Sequence, residues 1–242
     1  MTALQAARAL ANDLAGIFGT RLQAVVVFGT HARPHPRVIQ TPVQTLALVT
    51  QLEYADLAAS AELAGTWQGR GLDMPLLLPT GEFRRSLDAF PLEYGDILAH
   101  HILVHGGDPF DGLAVPAEDL RRACEFNIRS HVIHLREGFL LAAQQPRKVA
   151  DLIVSSAAPF ASLIQTFALV TGAPPQSPPD ALASHVGRVA GLDRDLLARL
   201  MRLEEDHTLD PGDAVQLYPP YLDVMQGLLR VIDGWAAEGT TA

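Results

Sequence analysis

Leu4, Ala7, Leu10, Leu14 and Ile17 recur at steps of three and four, which predicts an amphipathic helix over Ala3 to Phe18. Ala24 to Phe28 (AVVVF) is instead a continuous β-branched run stopped by Gly29, the pattern of a strand covered on both faces. After a Pro-rich loop from Ala32 to Pro42, Val43 to Thr50 (VQTLALVT) predicts a second buried strand. Tyr54 to Trp67 predicts a helix with Leu57, Ala61 and Ala64 on one side, and Met74 to Leu78 (MPLLL) a third strand that Pro75 directs to a sheet edge. Ile97 to His105 (ILAHHILVH), closed by Gly106 and Gly107, fits either a helix end or a last strand. Alternating helices and short strands imply an α/β sheet domain.

After Pro116 the pattern becomes helical throughout. Leu120, Cys124, Ile128, Val132, Leu135 and Phe139 form one stripe over Asp119 to Ala143. Pro146 opens a nearly all-apolar helix to Val170, in which Pro159 is expected to cause a kink or a break. The run GAPPQSPPD, Gly172 to Asp180, is a loop, followed by helices over Ala181 to Ala190, Asp193 to Asp206 and Pro220 to Trp235. Pro219 and Pro220 are taken as the start of the last, with Tyr221 packed inside. The expected organisation is an α/β domain over residues 1–114 and an all-α helical bundle over residues 115–242.

At 242 residues there is room for two such cores. No apolar run approaches the roughly 18 residues of a membrane span, and MTALQAARALANDLAGIFG lacks the pattern of a signal peptide, so the expectation is a cytoplasmic protein with no membrane partner. A single cysteine, Cys124, excludes an intramolecular disulfide and sits on a helical apolar stripe as a small core residue. The net charge of −9 makes nucleic acid an unfavoured partner. Its distribution is uneven: Leu14 to Leu52 contains no acidic residue, while Arg21, Arg33 and Arg37 make that stretch basic.

A helix, a buried strand ending in Gly-Thr, a loop, a second buried strand and then a helical bundle is the layout of the nucleotidyltransferase superfamily. VVVFGTHAR, Val25 to Arg33, resembles its hydrophobic-Gly-Ser/Thr-x-Ala-Arg signature. PTGEFRRSLDAFPLEYGDILAHHILVHGGDPF and GLDRDLLARLMRL also resemble uncharacterised bacterial proteins with a nucleotidyltransferase-like domain and a C-terminal helical, HEPN-like domain. The resemblance implies an α/β nucleotidyltransferase-like N-terminal domain with a small mixed sheet. In working members the second strand carries Asp-x-Asp, because residues i and i+2 share a face and can hold two magnesium ions on a nucleoside triphosphate. Counted back from LALV, those positions fall on Val43 and Thr45; Glu53 and Asp56 lie beyond the strand and Asp73 stands alone.

The implied protein is catalytically degenerate. It keeps a phosphate-binding turn of Gly29, Thr30, Arg33 and Arg37, with His31 and His35 nearby, and has no metal site, no cofactor and no catalytic residues of its own. Its expected partners are a nucleotide or another phosphorylated small molecule, a protein, or a second copy in a homodimer. The alternatives are an active nucleotidyltransferase with displaced carboxylates, or an RNase acting through Arg129-Ser-His-Val-Ile-His134 in the helical domain. On a regular helix five steps rotate by about 140°, which sets Arg129 and His134 on opposite flanks of the stripe. His101 and His105, with His100, invite a metal reading only if their segment is helical; on a strand the first two lie too far apart to chelate one ion, and no carboxylate stands between them.

Overall fold

A computed structural model describes residues 1–33, 41–174 and 177–235. They fall into two compact units, Met1–Pro116 and Ala117–Ala242. In the first, Thr2 caps α1 (Ala3–Phe18): its hydroxyl accepts from Gln5 N, and the Gln5 side chain accepts from Thr2 N in return. β1 (Leu22–Phe28) follows, then a 3-10 turn over Gly29–Ala32, β2 (Gln44–Val49), α2 (Tyr54–Gly69), β3 (Leu76–Pro79), α3 (Thr80–Arg85), α4 (Pro91–Ala99) and β4 (His101–Gly106).

The strands order as β3-β2-β1-β4, with β1 antiparallel to both β2 and β4 and β2 parallel to β3. This is a small mixed sheet, with β3 on the edge. One face packs Val25, Val27, Ala47 and Val49 against Leu10, Leu14 and Trp67; the other packs Val26, Leu46 and Leu48 against Phe83, Tyr94, Ile97 and Phe110. Burial of alternate residues on both faces is why the strands read as continuous apolar runs. The 97–105 segment proves to be both of its alternatives in succession, since α4 ends at Ala99 and β4 begins at His101. Gly106 closes β4 at φ +81°, where a Cβ would run into the backbone carbonyl of Gln23.

α2 turns a different side inward from the one expected. Asp56, Ser60 and Trp67 are buried, whereas Leu57 and Ala61 face out. Polar contacts set this rotation: Arg21 donates through both terminal nitrogens to Asp56 at 2.7 Å, and Trp67 Nε1 donates to Asp13 at 3.0 Å. An indole with a hydrogen-bond partner buries far more apolar area than the alanines it displaces from the interior.

The second unit consists of α5 (Ala117–Ala142), α6 (Pro146–Val170), α7 (Pro179–Ala190), α8 (Arg194–Asp206) and α9 (Pro211–Gly234). α6 packs against the other four, burying Val149, Ile153, Phe160, Ile164 and Phe167 at about 1.5–3 kcal/mol per large side chain. Three expectations are corrected here. α6 runs unbroken through Pro159, because the carbonyl that loses its donor belongs to Ser155, an exposed residue that water can reach. α9 begins at Pro211 rather than at Pro219 or Pro220; Asp210 caps it by accepting from Gly212 and Asp213, and the carbonyls freed by the two inner prolines belong to exposed Val215 and Gln216. α6 is also long and apolar enough to cross a membrane, contrary to the expectation that no such run exists, although its apolar stripe lies in the core of this unit.

Candidate functional site

β1 delivers the expected turn at one end of the sheet. Gly29 lies at φ +68°, and the right-handed 3-10 residues Thr30, His31 and Ala32 follow it. A side chain at Gly29 would also collide with the amide oxygen of Gln44, which lies opposite Phe28 on the neighbouring strand. His31 Nε2 lies 2.8 Å from the carbonyl of Thr41. Thr30 is exposed. His35 and Arg37 lie outside the described residues.

Arg33, immediately after the turn, meets a residue that sequence spacing did not suggest. Its Nη2 donates to Oδ1 of Asp96 on α4, and the same oxygen lies 3.0 Å from Nδ1 of His100, four residues on. The Arg33 and Asp96 side chains are 26% and 29% exposed, whereas that of His100 is 1% exposed. The His100 Nε2 is buried with no hydrogen-bond partner among the described residues. Donation from His100 Nδ1 to the carboxylate therefore holds Asp96 from inside the unit while Arg33 holds it from outside. The i, i+4 spacing of Asp96 and His100 is a detectable signal on a helix, yet nothing in the sequence ties the pair to Arg33, which is 63 residues from Asp96.

The positions expected for Asp-x-Asp do not open onto this turn. Val43 and Thr45 are only 5% and 1% exposed, and both alternate with Ala47 and Val49 on the face covered by α1 and α2. Gln44 is the β2 residue that stands exposed beside Gly29. The other acids considered are occupied elsewhere. Asp56 is held by Arg21, whose hydrogen bonds keep its carboxyl below the usual range, and Asp73 accepts from the backbone of Met74. Among the described residues no three His, Cys, Asp or Glu side chains are grouped to hold a metal ion. His101 and His105 lie on β4, opposite Phe28 and Val25, and His101 is taken up by the carbonyl of Ile97 and the ring of Phe110.

In the helical unit Arg129 and His134 do not converge. Arg129 is held by Glu125 at 2.9 Å and Asp233 at 2.7 Å, whereas His134 is exposed, 3.7 Å from Glu137. The buried polar centre of this unit is His131 instead. The Tyr221 hydroxyl lies 2.6 Å from His131 Nε2 and 3.2 Å from Ser156 Oγ. Burial first, and then the nearby His134, lower the His131 pKa to about 4, so the ring is neutral and pairs with the Tyr221 hydroxyl as an uncharged hydrogen-bond partner. Cys124 is fully buried, with its thiol pushed up to about 12, and is a core residue without nucleophilic character.

No family model matches the sequence, and no curated protein does. Among solved structures, the spectinomycin adenyltransferase AAD(9) from Enterococcus faecialis, determined with ATP and spectinomycin, aligns over 93% of this chain and 98% of its own, at a TM-score of 0.56 and 10% sequence identity. At that identity the likeness is one of fold. Together with the mixed sheet, the glycine turn after β1 and the mostly helical second half, it makes this a chain of the nucleotidyltransferase-like fold.

Proposed function

We propose that the protein binds the phosphate-bearing end of a nucleotide, or of another phosphorylated small molecule, at the turn after β1 and carries out no metal-dependent transfer there. One observation carries the reading: the turn from Gly29 to Arg33 is intact, while β2 sets Gln44 rather than a carboxylate beside it. A left-handed glycine followed by right-handed residues turns successive N–H groups to one side, a concavity suited to phosphate oxygens. Thr30 stands exposed there, and Arg33 supplies a cation of the geometry that phosphate prefers.

Two magnesium ions require carboxylates that share a face of β2. Val43, Gln44, Thr45 and Leu46 offer none in either alternation, and Asp96, already bonded to Arg33 and His100, is a single carboxylate. The donor set does not fit the metals of the working superfamily, and the chemistry left to the site is recognition. The adenyltransferase neighbour holds ATP, which makes nucleotides the first ligands to test. Titration calorimetry with ATP, GTP and CTP is expected to give binding that does not depend on magnesium and that Arg33→Ala/Arg37→Ala weakens about tenfold, the worth of a charged hydrogen bond. Absence of binding to the wild type, or equal binding by the variant, would remove the pocket. Magnesium-dependent transfer of a labelled nucleoside monophosphate to any acceptor would favour the displaced-carboxylate enzyme instead.

We read the helical unit as HEPN-like and the protein as bacterial and cytoplasmic. The separation of Arg129 from His134 weighs against RNA cleavage. Cleavage that disappears in His134→Ala would reverse that judgement.

A further inference from the structure

The Arg33–Asp96 contact has the construction of a switch. Arg21 and Asp56 form a contrasting pair in the same unit: both terminal guanidinium nitrogens are engaged at 2.7 Å and the Asp56 side chain is 8% exposed, so that Asp56, once without Arg21, would be a largely buried carboxylate without its counter-charge. Asp96 is 29% exposed and has a second donor in His100, whose own side chain is 1% exposed. If Arg33 swings away, Asp96 keeps the His100 Nδ1 hydrogen bond and retains access to water. The usual penalty for stranding one member of an ion pair is therefore largely absent. Among the described residues the His100 ring has no second hydrogen-bond partner, since its Nε2 is unbonded, so the ring's hydrogen bond goes to keeping Asp96 at the turn.

We propose that Asp96 is a built-in competitor for the anion site: held at the turn by His100, it occupies Arg33 in the unliganded protein and yields it to a phosphate group. This rests on the binding reading above and adds regulation to that site. A phosphate carries more negative charge than a carboxylate and presents three acceptor oxygens, so it outbids Asp96 for the guanidinium while Asp96 falls back on His100. The carboxylate then sets a threshold. Weakly charged anions do not displace it, and a phosphate monoester or polyphosphate does. The consequence for selectivity is a site that discriminates by ligand charge without contacting the rest of the ligand.

The test is calorimetry of the full chain with inorganic phosphate and with ATP, both without magnesium, on wild type, Asp96→Asn and Asp96→Ser. Removing the competing charge is expected to tighten binding of both probes by roughly two- to fivefold, the upper range of one partly exposed ion pair, and the gain should shrink as salt is added. A purely structural Asp96 would lower affinity when replaced, so weaker binding by both variants overturns the proposal. Equal affinity in wild type and variants overturns it too and leaves the binding site standing. If neither wild type nor variants bind either probe, the binding site itself fails and the competitor with it.

Discussion

In the sheet unit, charge joins parts of the chain that are far apart in sequence: Arg21 to Asp56, Arg33 to Asp96 and Arg70 to Asp13. In the helical unit most ion pairs close within one turn of α5, as in Arg121 with Glu118 and Glu125, Arg122 with Asp119, and Arg129 with Glu125. Long-range cohesion there falls to apolar side chains, with Phe160 and Tyr221 in edge-to-face contact at 5.1 Å and Tyr218 stacked on Phe139 at 4.2 Å. The difference teaches where each unit is vulnerable. A thin sheet with short strands has little interior beyond its two faces and fastens its helices with directional polar contacts; five packed helices share a continuous core and use surface charge mainly to support individual helices.

The largest effect should come from the helical core. Phe160→Ala removes a fully buried ring at the centre of α6 and is expected to cost about 3–5 kcal/mol, measured as a shift in the urea midpoint of the helical unit. A loss below about 1 kcal/mol would mean that this core is not the main support. The second test concerns pH. His131 has an ordinary pKa of 6.5 and a folded value of about 4, so between those values the unfolded chain binds a proton that the folded chain does not. Stability should therefore fall as the pH drops through this window, by up to about 3 kcal/mol, and level off below it. His131→Gln should flatten that slope in acid denaturation curves; an unchanged slope would transfer the effect to carboxylates.

The smallest effects separate the two kinds of ion pair. Asp13→Ala removes the shared acceptor of Trp67 Nε1 and Arg70 Nη1, at 3.0 and 2.7 Å, and leaves a buried indole N–H unpaired, an expected loss of about 1–3 kcal/mol. Arg199→Ala breaks the pair with Asp213, whose two side chains are about half exposed, and should cost less than about 0.5 kcal/mol. Thermal denaturation of the two variants compares them directly. Equal losses would erase the distinction between fastening and decorative charge.

Much of the fold is legible in the chain itself, and the reasons lie in particular residues. Leu10 and Leu14 at helical spacing mark α1, whose bounds agree with the expected ones, and the β-branched run before Gly29 marks β1, which starts two residues earlier than expected. α9 was less legible because Pro219 and Pro220 look like a beginning, although a helix tolerates them where the carbonyls they free face water. The inner side of α2 was hidden because burial there follows Asp56 and Trp67, whose partners Arg21 and Asp13 stand 35 and 54 residues away.

The candidate site divides in the same way. Gly29, Thr30 and Arg33 follow a buried strand directly, and the absence of acids from Leu14 to Leu52 is a property of the string of residues alone. By itself the sequence determined which short-range periods the chain carries and which chemistry it lacks beside the turn, because both are written in neighbouring positions. Only the tertiary structure decided that Val43 and Thr45 face the α1 and α2 side, that Gln44 stands at Gly29, and that α4 brings Asp96 and His100 to Arg33. The physical reason is that a hydrogen bond or ion pair forms between atoms a few ångströms apart, and 63 residues of intervening chain leave no trace of that proximity until the sheet and its helices have closed around it.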